Sequence, residues 1–181
     1  MTTIINGSSP SVTFSDGTTQ STAFTTGAVT QSTIATGVAG TGPAFSAYAT
    51  SNSQTIASGT FTKIQFTAKE FDTANCFDST TNYRFTPTIA GYYQIDACVG
   101  LASNALGICL VSIYKNNARF KDGAIIPNSG GATCPASALI YFNGSTDYVE
   151  IYLYQSSGST LAVSVNAGSA GFFQGALVRA A

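Results

Sequence analysis

The chain has 181 residues, enough for one ordinary domain plus an extension. Only 8% of the residues are charged and the net charge is −1, with the few lysines and arginines scattered, so no basic stripe exists that would bind nucleic acid. No apolar run approaches the roughly 20 residues that cross a bilayer, and we expect no membrane insertion. Because 44% of the residues are apolar, the chain can nevertheless bury a core.

The absence of histidine limits the chemistry available to the chain. Catalytic serines and cysteines usually need an imidazole base, and zinc sites usually need histidine or Cys-x-x-Cys ligands, which the four cysteines do not provide. Glu70 and Asp72 are a pair of nearby carboxylates of the kind that glycosidases use, but they fall in a predicted surface loop and read as ordinary solvated charges. We therefore predict a protein that is not an enzyme and that has no metal and no cofactor.

Residues 1–42 differ in composition from the rest, since they are mostly Ser, Thr and Gly with a single charge. Residues 12–14 predict a short strand that enters a turn at 15–17, because Asp-Gly tolerates the positive φ of tight hairpins. The tetrapeptide Thr-Gln-Ser-Thr occurs at 19–22 and again at 30–33. Such a segment cannot bury much apolar surface alone. We interpret residues 1–42 as an extended arm that other chains order, with a flexible linker as the alternative.

From residue 43 onward the pattern predicts an all-β domain, residues 43–181, with no helix. β-Branched and aromatic residues dominate, and Gly, Pro and Asn clusters separate short runs. Predicted strands cover 44–50, 60–66, 83–86, 91–101, 107–116, 138–143, 148–155 and 172–179. About eight to ten short strands at this spacing are typical of a β-sandwich or barrel.

Two of the predicted strands lack a plainly solvent-facing side. In the strand over 148–155, aliphatic residues alternate with three tyrosines and Glu150, and the strand over 138–143 is apolar on both faces. A sheet that is apolar on both faces must be covered on both. We favour cover by a neighbouring subunit, with cover by loops or by the N-terminal arm as the alternative.

The four cysteines have two interpretations. Cys98 and Cys109 flank a predicted turn near residues 103–104 almost symmetrically, so a disulfide between them across a hairpin is one candidate. The other interpretation, which we favour, is that all the cysteines are small buried apolar residues.

Several short motifs, in order and at the expected intervals, resemble the globular head of complement component one, subcomponent q. They occupy residues 44–47, 85–87, 91–93, 115–116, 143–144, 147–149 and 173–175. The resemblance covers residues 43–181 and implies a ten-stranded, tumour-necrosis-factor-like jelly-roll sandwich that forms homotrimers through the apolar face of one sheet. Some members of that family bind calcium through acidic loop residues, but the acidic residues here are dispersed and we do not carry that feature over.

The tyrosines are the candidate interface residues. Tyr92, Tyr93, Tyr141, Tyr152 and Tyr154 are the trimer-interface candidates, which we expect to line the trimer axis or to pack in the core. The alternative is a ligand surface, because an exposed tyrosine offers an apolar ring and a hydroxyl suited to stacking on sugars. Contacts with a host receptor would lie on loops at one tip of the domain, over residues 117–135.

The N-terminal stretch over residues 12–22 resembles a segment common in bacteriophage tail-fibre and other virion appendage proteins. The collagen-like stalk of the complement relatives is absent, and the first residues do not predict a secretory signal. These features favour a virion protein that is assembled in the host cytoplasm and exposed on the particle surface. Residues 1–42 would bind other virion proteins, and the jelly roll would project outward.

Two roles fit such a protein: a capsid decoration or cement protein, or a short tail fibre that attaches to host surface glycans. The alternative from a different class is a secreted, complement-like lectin that binds glycans.

Overall fold

The computed structural model describes residues 12–13, 15–17, 19–20, 42–102, 106–128, 131–164 and 171–181. Every regular element within these ranges is a β-strand. In chain order the strands are β1 (Val12–Thr13), β2 (Thr19–Gln20), β3 (Ala44–Tyr48), β4 (Thr55–Ile56), β5 (Thr62–Lys63), β6 (Ala68–Asp72), β7 (Phe77–Asp78), β8 (Arg84–Phe85), β9 (Gly91–Leu101), β10 (Ile108–Lys115), β11 (Ala118–Pro127), β12 (Thr133–Phe142), β13 (Val149–Gln155), β14 (Leu161–Ser164) and β15 (Gly171–Ala180).

The chain divides into two compact units, residues 1–36 and 37–181. In the first unit, β1 pairs with β2 in an antiparallel hairpin, and Gly17 in the turn has a φ of 85°. The predicted strand entering a turn is thus confirmed. The predicted domain boundary after residue 42 stays a prediction.

The second unit contains two antiparallel sheets. In the β10 sheet the order is β11-β10-β13-β8-β7, with β5 also paired to β13. In the β9 sheet the order is β4-β14-β9-β15-β3-β6, with β12 also paired to β9. The arrangement is consistent with the predicted jelly-roll sandwich. The predicted count of ten strands is not confirmed, because the described part of the chain contains fifteen strand segments, several of them only two residues long.

The strands form where apolar residues recur at every second position. In β15, Phe173, Gly175 and Leu177 are buried and the residues between them are exposed, which is the period expected of a strand with one face against a core. Gly175 is required on the buried side, because a side chain there would meet the Ile95 side chain and the Gln94 carbonyl oxygen.

The core lies between the two sheets and is rich in phenylalanine. Phe45 of β3 stacks on Phe85 of β8 with ring centroids 4.3 Å apart, and it also contacts Phe77 at 5.1 Å and Phe173 at 4.9 Å. All four rings are buried. Because β3 and β15 belong to one sheet and β7 and β8 to the other, these ring contacts join the two layers.

Tyr93 belongs to this core. Its side chain is fully buried, its hydroxyl donates a hydrogen bond to the Ile89 carbonyl oxygen at 2.8 Å, and burial raises its pKa. Of the two positions expected for Tyr93, the trimer axis and the core, the structure places it in the core, so Tyr93 is not a trimer-interface residue. The alternation of β9 turns Tyr93 inward and turns its neighbour Tyr92 outward.

A disulfide joins Cys109 of β10 to Cys134 of β12, with the two Cα atoms 6.5 Å apart, and so links the two sheets. The candidate disulfide between Cys98 and Cys109 is wrong, because β9 and β10 are not a hairpin: each pairs within a different sheet. The favoured interpretation, that all four cysteines are small buried apolar residues, is wrong for Cys109 and Cys134 and holds for Cys76 and Cys98, which are buried free thiols. Burial raises the pKa of Cys98.

Several strands lie outside those predicted from the sequence, among them β4, β6, β7, β11 and β14. Residues 69–72, predicted as part of a surface loop, belong to β6, and the predicted tip loop over residues 117–135 contains β11 and the start of β12. Both β6 and β11 are largely exposed, so neither carries the alternation of apolar and polar residues that identifies a half-buried strand.

Candidate subunit interface

The outer face of the β9 sheet, turned away from the core, carries a cluster of exposed apolar side chains. We call this cluster the apolar face; it consists of Tyr92, Leu139, Tyr141 and Val178, whose side chains are between 42% and 56% exposed. β9, β12 and β15 are adjacent strands, and these residues occupy their outward positions. The prediction that residues 138–143 have no polar face is confirmed, since Leu139 and Tyr141 point outward while Ile140 and Phe142 are buried.

The two tyrosines of the apolar face are held in place by neighbouring strands. Tyr92 and Tyr141 are directly opposite each other in the β9–β12 pair, and their ring centroids lie 5.5 Å apart. Lys115 of the β10 sheet donates a hydrogen bond to the Tyr141 carbonyl oxygen at 2.7 Å, and its ammonium group lies 5.8 Å from the centre of the Tyr141 ring. The position of the aromatic pair is therefore set by both sheets.

A β-bulge places Arg179 next to Val178 on the outer face. Val178 faces outward by the alternation of β15, and the shift in pairing with β9 between Leu177 and Arg179 turns Arg179 outward as well. Next to them is a depression of about 600 Å³, lined by Tyr92, Leu139, Val178, Arg179, Ala180 and Ala181. Val178 was not among the residues predicted from the sequence. The signal was the apolar pair Leu177-Val178, because it places an apolar residue on the outward side of β15.

A polar cluster lies beside the apolar face on the same side of the sheet. The Asp96 carboxylate accepts hydrogen bonds from the Ser137 hydroxyl at 2.6 Å and from the Gln94 side-chain amide at 3.0 Å. No lysine or arginine of the described residues forms an ion pair with Asp96. The outer face of the β9 sheet thus contains a carboxylate whose charge is balanced by hydrogen bonds alone.

Lys115 is itself fixed by Asp147, in the segment between β12 and β13. The Asp147 carboxylate lies 2.9 Å from the Lys115 ammonium and accepts hydrogen bonds from the Asn116 side chain at 2.7 Å and from the Asn143 backbone amide at 3.0 Å. Partial burial acts to raise the pKa of Asp147, but these hydrogen bonds together with the lysine lower it below the usual value.

The variant Asp147→Asn tests this cluster. We expect it to lower the free energy of unfolding by about 1 to 2 kcal/mol at pH 7, since hydrogen bonds to a charged group are lost. The pKa of Asp147 is lower in the folded than in the unfolded chain, so its stabilising contribution is present above the unfolded value of about 3.9 and is lost as pH falls through the lowered pKa. Denaturant unfolding from pH 7 to pH 2 should show the difference between wild type and variant shrinking in acid.

The matched control is Glu70→Gln, since Glu70 accepts one side-chain hydrogen bond, from Ser46, and has no ion-pair partner among the described residues. We expect a smaller loss of stability for this variant. A difference for Asp147→Asn that stays constant down to pH 2 would contradict the assigned role of the charge.

Tyr152 and Tyr154, the other predicted interface residues, lie on a different surface. They are half-buried on the outer face of the β10 sheet, where Tyr152 stacks on Tyr114 with centroids 3.9 Å apart and Tyr154 packs against Phe61 at 5.1 Å. The structure therefore brings together Tyr92 and Tyr141 but not these two. Whether any of the four lies at a subunit contact stays a prediction.

Two cations balance the charge of Glu150, the carboxylate that β13 carries between its tyrosines. Its side chain is only 2% exposed, and its carboxylate lies 3.2 Å from the Lys63 ammonium and 3.3 Å from Nε of Arg84. The contact with Arg84 is electrostatic, because its geometry is not that of a hydrogen bond. Burial and the Glu150 charge raise the pKa of Tyr152. On the outward side of β13, the carboxylate is thus paired with cations and the tyrosines are half-buried against other aromatic rings.

The carboxylates considered for catalysis have other roles. Glu70 accepts a hydrogen bond from the Ser46 hydroxyl at 2.7 Å, and Asp72 accepts hydrogen bonds from the backbone amides of Cys76 and Phe77 and pairs with Lys69 at 3.1 Å. Asp72 therefore shapes the segment between β6 and β7. Across the described ranges, no group of three or more Asp, Glu, Cys or His side chains is arranged to hold a metal ion.

No helix long and apolar enough to cross a membrane occurs in the part of the chain that the structure describes.

Neither a family model nor a curated protein matches the sequence. Among solved structures, the globular domain of zebrafish complement 1qA protein is similar at 17% identity with a TM-score of 0.54, over 77% of this chain and 99% of that chain. Murine APRIL is similar at 8% identity with a TM-score of 0.53, over 75% of this chain and 98% of that chain. The PRD1 vertex protein P5 is similar at 17% identity with a TM-score of 0.52, over 76% of this chain and 97% of that chain.

At these identities the likeness shows the fold alone. It agrees with the motifs of residues 43–181 that resemble the complement head, and the second unit of the chain has a jelly-roll fold of the kind found in complement 1q and APRIL.

Proposed function

We propose that this chain is a non-enzymatic structural protein of a bacteriophage virion surface and that it acts as a homotrimer. The observation that carries the proposal is the apolar face, formed by Tyr92, Leu139, Tyr141 and Val178. Contiguous exposed apolar surface of this kind marks an interaction site. Its burial between copies stabilises an assembly by about 25 cal/mol for each Å² of apolar surface removed from water.

The trimeric state is supported by the resemblance to the complement head, which implies homotrimers that form through the apolar face of one sheet. The apolar face lies on one sheet and not on its partner, as that mode of assembly requires. The exposed side chains of the face are not covered by any described loop of their own chain, which supports cover by another copy over cover by loops.

The virion location is supported by residues 12–22, which resemble a segment of phage appendage proteins, and by the similarity of the fold to a vertex protein. Residues 1–42 attach the trimer to other virion proteins, and the jelly roll projects from the particle. The likeness to a vertex protein favours the capsid, with a decoration or cement role, over a short tail fibre that binds host glycans.

Light scattering on the full chain tests the proposal. We expect a mass of three chains at micromolar concentration, and a stable monomer would refute the covered-sheet argument. Quantitative mass spectrometry of purified particles then separates the roles, because a decoration protein is present in many more copies than a tail fibre. Soluble sugar binding without association with particles would instead support a secreted lectin.

A further inference from the structure

A polar cleft of about 530 Å³ is lined by the edge strands of both sheets. β6 ends the β9 sheet and β7 ends the β10 sheet, and the cleft is lined by Lys69 of β6 and by residues between 75 and 86 around the β7–β8 pair. Its volume lies within the range of about 300 to 1,000 Å³ that is typical of small-ligand sites. The cleft is built by one chain and shares no residue with the apolar face.

Several polar side chains of this cleft have hydrogen-bonding capacity that the described part of the chain does not use. The side chains of Asn75, Ser79 and Thr86 form no hydrogen bond with any other described residue. The Lys69 ammonium donates to one carboxylate at 3.1 Å, which leaves two of its three N–H donors. The Arg84 guanidinium donates from one terminal nitrogen to a neighbouring carboxamide at 3.1 Å, and its other terminal nitrogen has no such partner within the described ranges. All five groups can donate to a ligand.

The carboxylate in the lining of the cleft is already saturated. Asp78 accepts five hydrogen bonds from the loop that follows it, three from backbone amides and two from side chains of residues 80–82. These bonds, with the largest contributions from the Thr81 and Thr80 amides, hold the pKa of Asp78 far below its usual value. At the end of this loop Tyr83 has a φ of 52°, a left-handed conformation that a bulky residue rarely adopts. Backbone strain of this kind is concentrated at functional sites.

The charges around the cleft are arranged with the cations outward. The Lys69 side chain is 31% exposed and its partner Asp72 is 4% exposed. The Arg84 side chain is 27% exposed and its partner Glu150, which also pairs with Lys63, is 2% exposed. Three carboxylates, the saturated one included, offset these three cations. The placement of the charges, and not their sum, therefore favours an anionic group in the cleft.

We propose that this cleft binds a saccharide unit that carries a carboxylate. Arg84 and Lys69 bind the carboxylate, because charge-assisted hydrogen bonds are the strong ones and the guanidinium fork matches a carboxylate. Asn75, Ser79 and Thr86 bind ring hydroxyls, which both donate and accept. A simple carboxylic acid would leave these three side chains unused, and a neutral sugar would leave the cations unused. Because one chain forms the whole cleft, this inference rests neither on the trimer nor on the virion location.

Isothermal titration calorimetry on the full chain at low ionic strength tests the proposal, with trisaccharides of galacturonate and of mannuronate as probes. The methyl esters of the same trisaccharides lack the charge, and acetate lacks the sugar. We expect at least one acidic trisaccharide to bind, and its methyl ester and acetate to bind about tenfold more weakly or not at all. Binding should also weaken as salt is added, because salt screens exposed charges.

Variants of the two cations locate the binding in the cleft. We expect Arg84→Lys and Lys69→Met each to weaken binding of the acidic trisaccharide by about tenfold or more. Arg84→Lys keeps a cation beside Glu150, and Lys69→Met keeps the aliphatic stem, so both should fold; near-ultraviolet circular dichroism checks this. The matched control is Lys121→Met, which removes the charge of an exposed lysine outside the cleft and should leave binding unchanged.

Four results would overturn the proposal. They are no binding of either acidic trisaccharide, equal binding of the methyl ester, equal binding of acetate, and a loss of binding in Lys121→Met as large as that in Lys69→Met. The last result would mean that the trisaccharide is attracted to positive charge anywhere on the chain. A chain that is monomeric and binds the acidic trisaccharide through Arg84 and Lys69 would support the cleft while it refutes the proposed trimer.

Discussion

Replacing Leu139 with aspartate is expected to convert the proposed trimer into monomers while the chain stays folded. Leu139 is 56% exposed in a single copy, so an acidic side chain there is solvated in the monomer. In the trimer the same charge is buried without a partner. Assembly can bury only the exposed 56% of Leu139, so each copy also loses about half of the 1.5 to 3 kcal/mol that full burial of a leucine contributes. Over three copies this weakens the trimer by roughly two orders of magnitude or more.

Light scattering across a range of chain concentrations measures this effect. The control is Ala57→Asp, which adds the same charge at an exposed position in the segment after β4, outside the apolar face. We expect the control to keep the mass of the wild type. If the Leu139→Asp chain has the mass of the wild type, the apolar face is not the subunit contact.

Replacing Phe45 with alanine is expected to lower the free energy of unfolding by about 3 to 5 kcal/mol. The Phe45 ring is 1% exposed and contacts Phe77, Phe85 and Phe173. Its removal therefore leaves a cavity between the two sheets. It also breaks ring contacts with Phe173 of the same sheet and with Phe77 and Phe85 of the other sheet. Against a typical total stability of about 5 to 15 kcal/mol, the variant would lose a large part of its margin.

Denaturant unfolding at a fixed chain concentration measures this loss, because the stability of an oligomer depends on concentration. Phe71→Ala is the matched control, since Phe71 of the adjacent strand β6 is half exposed. We expect a change of about 0.5 kcal/mol or less for the control. Equal losses for the two variants would show that the stacked phenylalanines are not the centre of the core.

Those parts of the fold that follow from apolar periodicity could be predicted from the sequence. The strand predicted over 91–101 is β9 with the same bounds, and the strand predicted over 138–143 is apolar on both faces as expected. A strand that is apolar on both faces has a composition that loops rarely share. For this reason two residues of the apolar face, Leu139 and Tyr141, could be predicted from the sequence.

The remainder depends on interactions that periodicity does not record. Pro135 interrupts the pattern of β12, yet it is tolerated because β12 pairs with β9 alone among the described strands and lies at the edge of that sheet. The partner of Cys109 depends on which strand of the other sheet lies opposite β10, and not on symmetry about a turn. Tyr92 and Tyr93 are equivalent by composition, and only the direction of alternation separates a surface tyrosine from a core one.

The hydrogen bonds of Asp96 could not be predicted either, because Ser137 is far from Gln94 and Asp96 in sequence and meets them only when β9 and β12 pair. Nothing in the local sequence distinguishes a carboxylate that is held by side-chain hydrogen bonds from one that faces water.

The bond between Cys109 and Cys134 encloses all of β11 in a covalent ring. A protease that cuts once anywhere between these two cysteines would leave two fragments that remain attached, migrating as one band without reductant and as two bands with it. The exposed edge strand can therefore be nicked without release of either half. The disulfide holds the two fragments together only under oxidising conditions, because thiol exchange in a reducing cytosol breaks it.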